Sequence, residues 1–145
     1  MVALEPAPTT LVPETPAPQR AEWLADDDRQ LLERIAGHLP LLTDLTHADA
    51  VLFARAGDQV IVLAQAQPVP VPSPYVQPLA VGRLLARDEA PAVFKVLVDG
   101  HTRHQVNTTV IRGAPVLQEV FPIRNERGEV IGAVRSEMLL IEHER

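Results

Sequence analysis

An α+β domain built on one antiparallel sheet flanked by helices is the fold class this sequence predicts. Two apolar strand pairs carry it, each closed by a short glycine turn, at Gly57-Asp58 and at Asn125 to Gly128. Helical periodicity occupies the stretches before the first pair and between the two, so the strands come as hairpins and not as alternating βαβ units. With 145 residues, 46% of them hydrophobic, the chain has the size and the apolar content of one domain with one core. Aromatic residues make up only 3%, so Val, Leu, Ile and Ala must fill that core around Phe53, Phe94 and Phe121.

Charge and composition remove several function classes. A formal charge of −6, one lysine (Lys95) and dispersed arginines leave no basic surface for a polyanion, so no nucleic-acid partner is expected. The absence of cysteine excludes disulfides, thiolate zinc sites, thiol nucleophiles and thiol redox sensing. No signal-peptide pattern and no membrane-length apolar run occur, and a cytoplasmic location without membrane contact is expected.

Residues 1–20 carry Pro6, Pro8, Pro13, Pro16 and Pro18, a density that blocks helix and ladder alike, and read as a disordered tail. The folded unit is placed at 21–137, and an exit helix is expected to start within Ser136 to Arg145, assigned to 138–145. From Ala21 the pattern is helical, with Leu24, Leu31 and Ile35 on one face and Leu32 and Leu39 beside them. Asp26, Asp27 and Asp28 suit a helix N-terminus, and Pro40 is expected to end or kink the helix before a turn resumes at Leu41, Leu42 and Leu45.

Asp49 to Ala56 and Gln59 to Gln65 form the first hairpin, apolar on both faces as in a sheet covered on both sides. Pro68 to Pro78 holds five prolines and reads as a loop. Asp88 is the expected N-cap of a short helix with a Phe94, Leu97, Val98 stripe, stopped at Asp99-Gly100. A polar stretch follows, with a short strand expected at Thr108 to Arg112. The closing hairpin pairs Val116 to Ile123 with Val130 to Arg135.

This order of elements is the layout of GAF and PAS domains. Three stretches carry a closer resemblance. Leu41 to Asp49 with Val62 to Pro68, Val81-Gly82 with Glu89-Ala90-Pro91, and Ala114 to Arg124 with Gly128 to Val134 resemble, in order and spacing, the N-terminal GAF-like domain of cytosolic bacterial two-component sensor histidine kinases. The resemblance runs from Leu24 to Glu137. It implies a sensory input domain that detects a small molecule or a partner and relays the event to PAS and kinase regions or to a kinase partner. It also implies homodimerisation through helix 21–46 and the exit helix. The rival reading is a non-sensing dimerisation scaffold.

The chain itself is not expected to be an enzyme. Ser73 and Ser136 lack any G-x-S-x-G context, and Glu126 with Glu129 sits in a turn where solvation is the ordinary outcome. No glycine-rich ATP lid or phosphoacceptor helix is found, and His143 stands upstream of where the relatives place that histidine. His101 and His104 lack the third ligand that a metal needs, so no metal site is assigned and no cofactor is specified. A pocket, if present, is expected between the sheet and helix 88–99, closed by the segment 100–113. Its candidate lining is Phe53, Phe94, His104, Arg112 and Gln118.

Overall fold

The computed structural model describes residues 24–68, 80–108 and 115–140. The tail 1–20, most of the proline-rich loop, Arg112 and residues 141–145 therefore lie outside the described residues. Helix α1 spans Asp26–Thr46; strands β1 (Asp49–Ala56) and β2 (Gln59–Ala66) form the first hairpin, and the short β3 (Leu84–Leu85) follows. A 3-10 turn at Arg87–Glu89 leads into helix α2 (Pro91–Asp99), then β4 (Arg103–Thr108), β5 (Pro115–Arg124) and β6 (Val130–Leu139).

All six strands form one sheet of order β3-β2-β1-β6-β5-β4, and every pairing is antiparallel. The two hairpins are joined side by side through β1 and β6, with Val51 opposite Arg135 and Phe53 opposite Ala133. Because side chains alternate across a strand, β1 feeds both faces. Val51 and Phe53 join Val60, Val62, Val93, Phe94 and Val96 under α2, while Ala50, Leu52 and Ala54 join Leu32, Leu39 and Ile61 under α1. The fold is thus three layers, with α1 on one side of the sheet and α2 on the other.

Helix α1 starts where the acidic triad predicts, with Asp26, Asp27 and Asp28 in its first turn. It does not end at Pro40. The helix runs on to Thr46, because buried Leu39 and Thr43 hold it to the sheet on either side of the proline, which outweighs one missing backbone hydrogen bond. The Thr43 hydroxyl donates to the Pro40 carbonyl at 2.8 Å, and His47 closes the helix in the left-handed region at φ 58°. Helix α2 begins two residues later than an Asp88 cap implies, with Ala90 at the cap position. Pro91 sits in its first turn and pushes the preceding Ala90 out of the helical region, to φ −147°. Asp88 lies instead in the 3-10 turn. Gly100, at φ 71°, ends α2 as expected, and Arg55 Nη2 donates to the Leu97 carbonyl of its last turn at 2.8 Å.

Two further expectations are corrected. An edge strand at Arg103–Thr108 accepts the polar run Arg103 to Asn107, which was not expected to pair; of the strand expected at Thr108 to Arg112, all but Thr108 lies outside the described residues. Strand β6 continues through Met138 and Leu139, opposite Leu117 and Val116, so these two residues of the expected exit helix are still in the sheet; Leu140 is helical and the residues after it lie outside the described residues. Backbone pairing with β5 wins over the helical propensity of Met and Leu there.

The β5–β6 turn is tied to α1 by one side chain. Asn125 Oδ1 accepts from the backbone N–H groups of Arg127 (3.0 Å) and Glu129 (2.9 Å), while its Nδ2 donates to Glu129 Oε1 (2.8 Å) and Asp28 Oδ1 (3.1 Å). Hydrogen bonding from Asn125, then from Arg127, lowers the Glu129 carboxyl below its usual value. Asp99 is lowered likewise, first by the His101 backbone N–H and then by Arg103. A lowered carboxyl stabilises the fold fully above its unfolded value, and that contribution is lost as pH falls toward the folded one. The urea midpoint is therefore expected to drop between about pH 5 and pH 3, the range just above and below free carboxyls. The drop should be shallower in Glu129→Gln, and equal slopes in the two proteins would contradict the assignment.

Gly132 marks a close approach between β6, β1 and α1. A Cβ there would lie 2.4 Å from the Phe53 carbonyl oxygen and 3.2 Å from Leu32 Cδ2, between the β1 backbone and α1. Gly132→Ala is expected to destabilise by about 2 kcal/mol, as overpacking does, seen as a lower urea midpoint with an unchanged slope.

Candidate functional site

Strand alternation sends a row of polar side chains to the α2 face of the sheet. Asp49 and Glu137 are directly paired across β1 and β6, Gln118 pairs with Glu137, and Gln105 pairs with Gln118. Arg135 lies on the same face one pleat along, two residues from core Ala133. The inner face of a covered sheet is ordinarily apolar, and burying polar groups costs free energy unless they are hydrogen-bonded. The row runs from exposed Gln105 through half-buried Gln118 to buried Glu137 and is networked: Gln105 Nε2 donates to Gln118 Oε1 at 3.3 Å, and Gln118 Nε2 donates to Glu137 Oε2. Glu137 is only 9% exposed and Asp49 2%.

Above this row, the first turn of α2 leaves a cleft of about 170 Å³ lined by Glu89, Pro91, Val93, Gln105, Gln118 and Arg135. The Arg135 guanidinium stacks over the Phe53 ring, 5.1 Å from its centroid, so the charged side chain rests on the apolar core. Glu89 is held at the rim: one oxygen accepts from Arg83 at 2.8 Å and the other from the Ala86 backbone N–H at 2.9 Å. The groups facing the cleft from the strands are thus a guanidinium and two carboxamides. They are suited to recognising a small polar molecule by hydrogen bonding and contain no arranged nucleophile and base.

The five residues expected to line a pocket are separated by the fold. Gln118 lines the cleft. Phe53 is fully buried in the core and touches the site only through Arg135. Phe94 is buried on α2, with Arg87 stacked over it at 5.2 Å, and borders a smaller hollow of about 60 Å³ that opens toward the β1–β2 turn. His104 pairs with Glu119, so alternation puts it on the α1 face, where its Nδ1 lies 2.8 Å from Glu119 Oε2. Arg112 lies outside the described residues. Sequence reasoning missed Gln105, Arg135, Glu89 and Glu137. Strand parity would have found Arg135 and Glu137, which share their face with Ala133, had β6 been taken past Arg135.

Comparison with known proteins gives this geometry a family. A model of the GAF domain of the histidine kinase PdtaS matches residues 19–145. The chain belongs to this family of histidine kinase sensor GAF domains. Among solved structures, the sensor region of a sensor histidine kinase superposes with a TM-score of 0.61 at 24% identity, covering 84% of this chain and 40% of that one. The GAF domain described here thus spans two-fifths of that structure. The repressor BlcR of Agobacterium tumefaciens matches with a TM-score of 0.51 at 15% identity, over 77% of this chain and 56% of BlcR. The PobR inducer-binding domain of Acinetobacter, solved with 3-hydroxybenzoic acid, matches at 0.50 and 15%, over 75% and 83%. At such identities these likenesses establish the fold, a GAF-like α+β sheet, and nothing finer. No curated protein matches the chain. The matched residues, 19–145, are a sensor GAF domain. Among the described residues no helix is long and apolar enough to cross a membrane.

The Gln118–Glu137 bond gives the site a direct check. Gln118→Ala removes the carboxamide donor from a carboxylate that is 9% exposed, and loss of such a charge-assisted bond costs about 2 kcal/mol. Chemical denaturation should show that loss, and stability unchanged by the substitution would mean that water replaces Gln118 freely.

Proposed function

We infer that this GAF domain is a cytoplasmic sensory input module of a two-component histidine kinase. A small molecule or partner is detected at the cleft between α2 and the polar row of β4, β5 and β6, and the event is relayed to a PAS or kinase region beyond β6. The observation that carries this reading is the hydrogen-bonded polar row that runs from exposed Gln105 to buried Glu137 and Asp49 at the edge of α2, where a purely structural domain gains most from apolar side chains at its buried end. Family membership supports the input role, and the geometry supports a ligand site centred on Gln118, Gln105 and Arg135.

The size of the cleft narrows the ligand. About 170 Å³ lies below the usual range of 300–1,000 Å³ for ligand pockets and corresponds to roughly six waters at about 30 Å³ each. It suits a small metabolite and not a nucleotide. Relay follows from connectivity: Arg135 and Glu137 lie on β6, the strand whose end leads out of the domain, so a ligand that repacks them shifts the strand leaving the sheet. Two copies of the domain are expected to associate, which couples such a shift to a symmetric output.

Native mass spectrometry under gentle and denaturing conditions tests both parts together. A dimer that carries a small extra mass, lost on denaturation and absent in Arg135→Ala, is the expected outcome. A dimer with no added mass, and no change in thermal stability across a library of small metabolites, would overturn the sensing role in favour of a dimerisation scaffold.

A further inference from the structure

Helices α1 and α2 lie on opposite faces of the sheet, yet two adjacent residues bond to both. Arg124, the last residue of β5, donates from Nη2 to the Gly100 carbonyl at the end of α2 and from Nη1 to the Gly128 carbonyl across its own turn, each at 2.9 Å. Asn125 donates to Asp28 Oδ1 in the first turn of α1 at 3.1 Å. The strand register shifts between Ile123 and Arg124, a bulge of the kind that re-aims side chains. Gly100 is fitted to this contact: its φ of 71° ends the helix, and a Cβ there would collide with the Arg124 guanidinium.

The two ends of α2 are held differently. Its last turn has no basic residue of its own, and the sheet supplies two. Arg55 Nη2 donates to the Leu97 carbonyl at 2.8 Å while its Nε donates to the Val130 carbonyl at 3.3 Å, and Arg124 takes Gly100. Each guanidinium thus holds a carbonyl at the helix end, where carbonyls lack internal partners and the dipole favours a cation, together with a second carbonyl in or beside the β5–β6 turn. The first turn of α2 has no side-chain cap; packing of Val93 and Phe94 seats it beside the cleft, and the Glu89–Arg83 pair ahead of it is exposed.

We propose that α2 is a lever pivoted at its C-terminal end, and that Arg124 and Asn125 carry its tilt to the first turn of α1. The proposal rests on the cleft being the sensing site and adds a route to the relay along β6. Occupancy of the cleft displaces the N-terminal end of α2. The clamped end turns in place and draws the β5–β6 turn with it, because a guanidinium fork fixes direction as well as distance. That turn is stiff, since Asn125 also accepts two of its backbone N–H groups, so the movement passes to Asp28. Arg124 and Asn125 are positioning residues in this device.

The chain has no cysteine, so a single reactive thiol can be introduced. In the full chain carrying Ala92→Cys, N-ethylmaleimide attaches a neutral occupant in the cleft at the first turn of α2. Hydrogen exchange read by mass spectrometry over Arg29 to Leu32, where the backbone bonds of α1 begin with Arg29 to Ala25, should then rise by at least about fivefold, the lower end of coupling between linked sites. The rise should vanish in Arg124→Gln and return only in part in Arg124→Lys, which keeps the charge and loses the fork. An Arg124 that merely stabilised the fold would leave the response to the adduct intact in both variants. Amides of α1 that ignore the adduct, a response that survives Arg124→Gln, or an equal rise in the β1 core, meaning global loosening, would each overturn the proposal. Because the occupant is tethered, these outcomes do not depend on finding a natural ligand, and the lever and the sensing role fail separately.

Discussion

Both faces of β1 must be covered, and most of the architecture follows from that requirement. Ala50, Leu52 and Ala54 point one way and Val51 and Phe53 the other, all of them buried. A strand of this kind is stable only in the middle of a sheet with a layer on each side. Strands β2 and β6 supply its neighbours, α1 and α2 the layers. The β1–β6 contact is close enough that only glycine fits at position 132, where the Phe53 carbonyl and Leu32 converge. Gly132 thus links the two hairpins and α1 at one point, and the register set there decides which residues of β6 face α2.

That register has a chemical consequence. Since Ala133 faces the α2 core, Arg135 and Glu137 must face the same way, and the pairing of β5 with β6 brings Gln118 opposite Glu137. A polar network is thereby built on the inner side of the sheet without any loop or irregular backbone, at the spot where the first turn of α2 stops short of covering it. Arg135 resting on Phe53 couples this network to the apolar core. A change in the network is therefore felt by core packing, the physical basis of the relay proposed above.

On the other side of the sheet the constraint is different. Helix α1 covers β1 and β2, is latched at its N-terminal end through Asp28 to Asn125, and leaves β5 and β4 open. The latch is rigid because one carboxamide satisfies two backbone donors and two carboxylates at once.

Local pattern was enough for the α+β class, the extent of both hairpin turns, the acidic start of α1 and the glycine stop of α2. In each case the signal is short-range: alternation, periodicity, or a glycine that takes a positive φ, as Gly57, Gly100 and Gly128 do. Continuation of α1 through Pro40, the edge strand at Arg103–Thr108 and the extension of β6 to Leu139 were decided by tertiary contacts, because each runs against local propensity and is held by a neighbour distant in sequence. The candidate site divides in the same way. Gln118 was legible as a polar residue in a strand, but His104 was assigned to the wrong face, and Gln105, Arg135 and Glu137 went unseen. Which face a strand residue occupies depends on parity relative to the core, and one residue of register reverses it. Sequence alone determined the fold class, both hairpins and the two helices, and pointed to the sensor family; pairing between β1 and β6 decided which side chains meet, since that distance along the chain is closed only by the folded sheet.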